Sequence, residues 1–536
     1  MPDAAIGSHK LLGIRDDVCF DRFGRYGPYG LGYKKDVGGS DMGLDTESSE
    51  NEAVWAESGQ IDYNQIDWHD VQQRCFAANR DRFAEPDSKT GQLNTVEGKK
   101  SRTAVVIRLY SGFEWTQLVI LNFRALITEV SLHTGGEYEV HFLLHVRDDN
   151  APIWADEETV QSLLNSDVPP EFHGMVTLWS EAQMRMYYPG KFDDPLSNPS
   201  NTAVHGVYRS AHMPLQKFAV EHPEFEHFWN WELDIRFLGN WFEFFDRVGS
   251  WADKQPRKLL WERNSRYYIP SHHGSWENFT LATKQDTEQS KKKSIFGPID
   301  FKGKKPLKSN NDSTIMPDSC DEGEDKALCG IGEAADIITL NPIFDVDNSG
   351  WVFSNDVTGY NKEPSPPRRC AIVTASRMSR RLLMAMHEEV WRNHQTMFTE
   401  MFPPTVAFHH GFKAVYAPHP IFLERAWDPM GGSVSSAFNG GQFHSTSGSG
   451  SPFHLNNEHN HRGTTWYYNS EFSGLLWRRW LGYAQMDGRG KIGAKKDDGK
   501  LRGGKEAEEA EESSGRMCLR SMLLHPIKHE SPSEKK

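Results

Sequence analysis

The chain has 536 residues, of which 37% are hydrophobic, with 17 Trp, 30 Phe and 16 Tyr, and its formal net charge is −14. That apolar and aromatic supply excludes global disorder, and the negative balance argues against nonspecific nucleic-acid binding through the protein's overall field. No run of 18 or more apolar residues is present to span a bilayer as a helix.

The N-terminus has no charged start followed by an apolar stretch, so it does not read as a signal peptide. Residues 1 to about 60 are rich in Gly, Asp and Ser, and the aromatic part, Phe20 to Gly30, is expected to dock on the main domain. Mobility is expected around Gly38 to Asn51, a short amphipathic helix over Ile66 to Phe83, and a polar linker over 84–100. The reading is an arm and linker over 1–100, followed by a single α/β domain over 101–530.

That domain opens with the β-branched run Arg102 to Tyr110, a buried strand. A helix over Thr116 to Leu132 and a strand over Tyr138 to Val146 follow. Strand, helix and strand at this spacing predict a parallel sheet with a crossover helix. Ligands of such sheets gather beyond the carboxyl ends of the strands. Arg108, Arg147 and Asp148 therefore fall where a nucleotide would sit, although polar residues that merely close strands look the same. Residues 151–200 carry another helix and a proline-bounded loop, and His205 to Glu221 a further helix.

The strand Phe225 to Trp231 then delivers Glu232 and Asp234. Two carboxylates one residue apart at a strand end suit Mg²⁺ or Mn²⁺, ions that commonly share their coordination with substrate phosphates. The plain alternative is a strand end with two solvated acids. Phe237 to Phe245 continues as an apolar helical face, Leu259 to Asn264 as a short strand, and the lysine-rich stretch 282–330 as a solvated insertion. Strands are expected over Ala335 to Leu340 and Arg368 to Thr374, with Ser376 capping a helix from Arg377 to about Phe398. A Gly-, Ser-, Asn- and His-rich loop covers 430–463, an aromatic helix Trp466 to Tyr483, and a charged low-complexity insertion 487–514. Ordered sequence returns from Met517 to Lys528.

Other candidates compete with Glu232 and Asp234. Asp345, Asp347, Ser349, Gly350 and Asp356 fall on calcium-loop positions, but the flanking prolines and β-type sequence favour an Asx-type turn. They remain the second metal candidate. His444, His454, His459 and His461 are the residue type that zinc takes, set in a glycine- and serine-rich loop. Glu471, among aromatic residues, would suit a general base if partly buried; a pairing with Arg478 or Arg479 is the structural alternative. His525 is placed as a ligand at a strand end, or as a satisfied structural histidine. No HExxH, GxSxG or GxxxxGK[ST] motif is present and no GxGxxG follows the strand Val105 to Tyr110, so phosphate would need side chains and metal. The six cysteines form no CxxC pair; one or two disulfides fit a secretory setting, with the pairing open.

Six blocks, Phe20–Gly30, Val140–Asn150, Trp229–Gly239, Ala335–Asp347, Arg368–Arg381 and Leu523–Lys528, together resemble a fungal family catalogued as domain of unknown function 3405. The resemblance runs over nearly the whole chain and departs in the low-complexity insertions. Family members often look like type II membrane proteins of the Golgi or another secretory lumen, with one N-terminal anchor; no anchor is visible in this chain. A second resemblance is to metal-dependent glycosyltransferases of the GT-A fold, on the order Glu232-Leu233-Asp234, then Asn469-Ser470-Glu471-Phe472, then a late His525. The first acid departs from a strict DxD, which leaves Asp234 as the safer ligand. This resemblance implies a Rossmann-like, mostly parallel sheet flanked by helices. It implies Mn²⁺ or Mg²⁺ held by Asp234, Glu232 and His525, and a nucleotide-sugar donor with a glycan or protein hydroxyl as acceptor. Glu471 would be the base if the reaction inverts. The rival readings are a noncatalytic carbohydrate-binding or scaffold protein, and a metal-dependent hydrolase using Asp345, Asp347 and the loop histidines.

Overall fold

The computed structural model describes residues 3–43, 48–86, 98–291, 293–307, 320, 328–440, 446, 448, 450–482 and 517–530. Seven strands form the central sheet: β1 (Arg102–Tyr110), β2 (Tyr138–His145), β3 (Val176–Trp179), β4 (Phe225–Glu232), β5 (Ile337–Thr339), β6 (Ser376–Ser379) and β7 (Ala414–Tyr416). Their order across the sheet is β7-β5-β6-β4-β1-β2-β3. All pairings are parallel except those of β6, which runs against both β4 and β5. The sheet is therefore mixed but mostly parallel, and helices flank it. β1 and β2 read as almost unbroken apolar runs because central parallel strands are covered on both faces; Ala104 to Ile107 are fully buried.

Side chains of β4 alternate between the two layers, as the pleat requires. Trp229 and Trp231 meet helix Trp241–Asp253, with ring centroids 4.6 Å apart for Trp229–Phe245 and 5.8 Å for Trp231–Trp241. Phe228 points the other way, toward Phe218 of helix His212–Glu221. That helix packs against helix Arg380–Asn393. This double anchoring fixes the strand that carries the first candidate ligand.

The N-terminal segment is built into the domain. Ile6 bridges Ile421, Phe20 bridges Leu519, and Cys19 is disulfide-bonded to Cys518. Arg25, on helix Arg22–Tyr26, pairs with Glu129 in a stretch where both side chains are under 10% exposed. Glu129 also accepts the Tyr29 hydroxyl and the Trp241 N–H, so one carboxylate joins arm, crossover helix and the helix behind β4. A second disulfide links Cys320 to Cys329. Two disulfides point to an oxidising environment. Among the described residues, no helix is long and apolar enough to cross a membrane.

Several local expectations are corrected. Leu259–Asn264 is helical over Leu260–Asn264, because the Asn264 amide itself pairs with the β7 edge, donating to the Ala414 carbonyl and accepting the Tyr416 N–H. Ser376 and Arg377 belong to β6; the helix begins at Arg380, where the Ser379 hydroxyl accepts the Leu382 N–H as its cap, and it ends at Asn393. Only Arg369–Cys370 of the expected strand at Arg368–Thr374 is extended, paired with Phe344–Asp345. In the stretch Gly38 to Asn51, Gly38 is packed, since a Cβ there would lie 2.4 Å from the Asp62 Cα and only glycine allows the approach, while 44–47 lie outside the described residues. The 430–463 stretch holds helix Met430–Phe438 and a turn of 3₁₀ helix at Glu458–Gly463. Helix Trp276–Gln289 runs into the stretch read as a solvated insertion from residue 282; 308–319, 321–327 and all of 487–514 lie outside the described residues.

Replacing Arg25 with Met strands the Glu129 carboxylate in the core, and breaking a buried pair from one side costs about 3–5 kcal/mol. The expected result is a single cooperative denaturant transition shifted to lower midpoint for Arg25→Met, with the double variant Arg25→Met/Glu129→Gln recovering part of the loss.

Candidate metal centre

β4 ends at Glu232, and the chain turns at once so that Asp234 follows before the short extended piece Arg236–Phe237. The C-terminal segment lies along this piece. Leu523 and Leu524 pair with Phe237 and Arg236, the Leu238 N–H donates to the Met522 carbonyl, and the Ile527 N–H donates to the Asp234 carbonyl at 2.8 Å. His525 is fixed from its other side by its own N–H on the Thr465 carbonyl and by a bridge to Trp466. These backbone contacts hold the imidazole over both acids. Its Nε2 lies 3.3 Å from Glu232 Oε2 and 3.5 Å from Asp234 Oδ1. One ligand atom from each of Glu232, Asp234 and His525 lies within 4.8 Å of the others, and this is the only such group of three or more among the described residues.

Two carboxylates this close, Asp234 buried and Glu232 half-buried, need cations. The β1–β4 register sets Arg108 beside Glu232, with Nη2 3.1 Å from Oε1. Thr374, just before β6, gives the same Oε1 its N–H at 3.0 Å and its hydroxyl at 2.6 Å, and that hydroxyl in turn accepts from Arg108. Lys528 donates to Asp234 Oδ2. Burial alone would raise both acids; the protonated His525 and Arg108 instead bring Glu232 down to about 2, and His525 and Lys528 depress Asp234 further. Burial works against the His525 proton, but the two carboxylates outweigh it and hold the imidazole up at about 9.

The donor set fits a hard divalent cation: two carboxylates and an imidazole, with His525 Nε2 and both acids turned to one point. His525 Nδ1 is buried with no protein partner among the described residues, so no second group selects its tautomer.

The other sequence candidates fall elsewhere or do other work. Arg147 stacks on the Tyr110 ring at 4.3 Å and Asp148 accepts from Asn150 in its own turn; among the described residues neither contacts the three convergent side chains. Glu471 stands at the start of helix Phe472–Trp480, 30% exposed, with Arg462 at 3.7 Å. Asp345 and Asp347 are paired with Arg369 and Arg368, Asp356 with the buried Arg209, and the Asp347 N–H closes an Asx turn on Asp345. Their charges are spent on arginines. His461 is buried in a stack with Tyr467 at 3.9 Å, His459 is tied to the Asn456 carbonyl, and the His454 ring packs on Gly350; His444 lies outside the described residues. Sequence reading passed over Thr374, Lys528, Glu400 and Glu458. Lys528 and Thr374 lay in family blocks already in hand; Glu400 and Glu458 carry no spacing signal.

Fold and site define an α/β protein with a candidate divalent-cation centre at the carboxyl ends of its sheet. The chain matches the family described as "Protein of unknown function (DUF3405)" over residues 19–529, and it belongs to that family. No curated protein and no solved structure matches it.

Lys528 occupies one Asp234 oxygen with a side chain that is 64% exposed, so it competes with any cation there. A pair whose lysine is this exposed is worth about 0.2–1 kcal/mol, so Lys528→Met is expected to tighten Mn²⁺ binding by about 1.4- to fivefold in calorimetry.

Proposed function

We propose that the protein is a metal-dependent glycosyltransferase of a secretory lumen, the Golgi, taking a sugar from a nucleotide-sugar donor to a hydroxyl acceptor. The observation that carries this reading is the convergence of Glu232, Asp234 and His525, which come from two distant stretches of the chain and meet at the carboxyl end of β4. Two further facts support it. The site lies where open α/β sheets hold nucleotides, and Arg108 and Lys528 border it with guanidinium and ammonium groups able to hold a diphosphate. The disulfides fit an oxidising lumen.

In this reading Asp234, Glu232 and neutral His525 hold Mn²⁺ or Mg²⁺. When bound, the ion would act as a Lewis acid on the departing diphosphate. Lys528 leaves Asp234 and turns its ammonium to the donor's phosphates. Arg108 stays on Glu232 and keeps that carboxylate aimed. Thr374 fixes the same Oε1 from a second direction, so Oε2, the oxygen beside His525 Nε2, is the one that would ligate the ion.

The experiment is hydrolysis and transfer across a panel of nucleotide sugars with Mn²⁺. Asp234→Ala is expected to abolish turnover while the protein still melts cooperatively; equal turnover by the wild type and this variant would refute the assignment. Glycan binding that needs no metal, with no nucleotide affinity, would favour a carbohydrate-binding protein instead.

Metal binding carries a proton signature. Ligation needs neutral imidazole, whereas His525 without metal stays protonated up to about pH 9. Mn²⁺ affinity is expected to rise about tenfold per pH unit between about 6 and 9 and to level off above. Calorimetry in buffers of different ionisation enthalpy should read one proton released at pH 7. In His525→Gln both the slope and the release disappear.

A further inference from the structure

Val373 is β-branched yet sits at φ +72°, a region such residues avoid. The strained residue lies where two carboxylates are gripped. The Val373 N–H donates to Glu400 Oε1 at 2.7 Å, and the next N–H, that of Thr374, donates to Glu232 Oε1 at 3.0 Å. Successive amides thus clamp an acid from the turn after Phe398 beside an acid of the candidate metal centre. The second oxygen of Glu400 has no hydrogen-bond partner among the described residues, and the residue is only partly buried.

Aromatic faces border this acid. The Tyr208 ring packs on Phe398, two residues before Glu400, at 5.5 Å, and Phe398 stacks on Phe353 at 3.9 Å. Glu458, a second acid that acts electrostatically on Glu400, accepts the hydroxyls of Tyr467 at 3.2 Å and Tyr468 at 2.8 Å. Tyr208 and Tyr468 are 56% and 47% exposed, and both lie within electrostatic reach of Glu400. Large exposed rings near a partly buried carboxylate suit a sugar ring, whose apolar face stacks while its hydroxyls bond.

We propose that Glu400, with the exposed Tyr208 and Tyr468 near it, is the acceptor subsite, that it takes a glycan acceptor, and that Glu400 is its general base. This rests on the transferase reading above. The acceptor hydroxyl donates its hydrogen bond to the free Glu400 oxygen. As the hydroxyl oxygen forms its bond to the sugar's anomeric carbon, the bond from that carbon to the diphosphate oxygen breaks. The electron pair leaves with the diphosphate, and the hydroxyl proton passes to Glu400 and then to solvent. Burial, then the neighbouring Glu232 and Glu458, raise the Glu400 carboxyl above the usual carboxylate range, the direction that suits a base. Glu471, at the exposed helix start beside Arg462, is released from that role.

The test combines Glu400→Gln, which preserves the contact with the Val373 N–H, and Tyr468→Ala. Calorimetry with Mn²⁺ and a nucleoside diphosphate should give wild-type binding for both. Transfer to a glycan acceptor should fall about 100-fold or more in Glu400→Gln through kcat. Tyr468→Ala should weaken acceptor binding, measured with the nucleoside diphosphate present so that no reaction occurs, by about three- to tenfold. Wild-type transfer by Glu400→Gln where Asp234→Ala is dead overturns the acceptor assignment alone. So does unchanged acceptor affinity in Tyr468→Ala. Absence of nucleoside diphosphate binding to the wild type overturns the transferase reading, and this assignment with it.

Discussion

A carboxylate removed from water needs a counter-charge, and the end of β4 presents two of them side by side. Leaving either unpaired would cost several kcal/mol. The surrounding architecture supplies cations from separate directions: Arg108 across the strand register, His525 and Lys528 from the C-terminal segment. The reversal of β6 matters for the same reason. Because β6 runs against its neighbours, the loop before it arrives at the carboxyl ends of β4 and β1, and Thr374 can turn its N–H and hydroxyl onto Glu232. A parallel strand in that position would have brought its own carboxyl end instead, with a carbonyl-rich exit.

The same network gives the site two settings. Without metal, protonated imidazole, ammonium and guanidinium balance the acids. A divalent ion would take over the work of the His525 proton and of Lys528, leaving Arg108 in place. A site balanced in both settings keeps its geometry in both.

Strands β1, β2 and β4 were readable because central strands covered on both faces show continuous apolar or aromatic runs. β3 was not: Val176–Trp179 is four residues long and mostly half-buried, too short to carry a period. Leu259 to Asn264 and Ser376–Arg377 misled for a related reason, since short runs carry helix and strand signals alike, and what decided them was a tertiary partner, the β7 edge in one case and β4 in the other. At the site, Glu232 and Asp234 were visible through spacing and His525 through its place late in the chain. Asp345 and Asp347 looked just as acidic; only the pairing of Phe344–Asp345 with Arg369–Cys370 shows that arginines answer them. Thr374 reaches Glu232 through its N–H and hydroxyl, and Glu400 is held by the Val373 amide, all in a strained loop that no residue pattern announces.

Lys528 and Asp234 lie 294 residues apart. At a synthesis rate of roughly 5–20 residues per second, about 15–60 s separate the appearance of the acids from that of the groups that answer them. Throughout that interval β4 can pair with β1, but its end holds two acids with Arg108 as the sole partner drawn from the strands already made. A growing chain, or one cut short before His525, carries a folded sheet with an incomplete ligand set. Under the proposed function, cation binding would depend on the segment that carries His525 having been made.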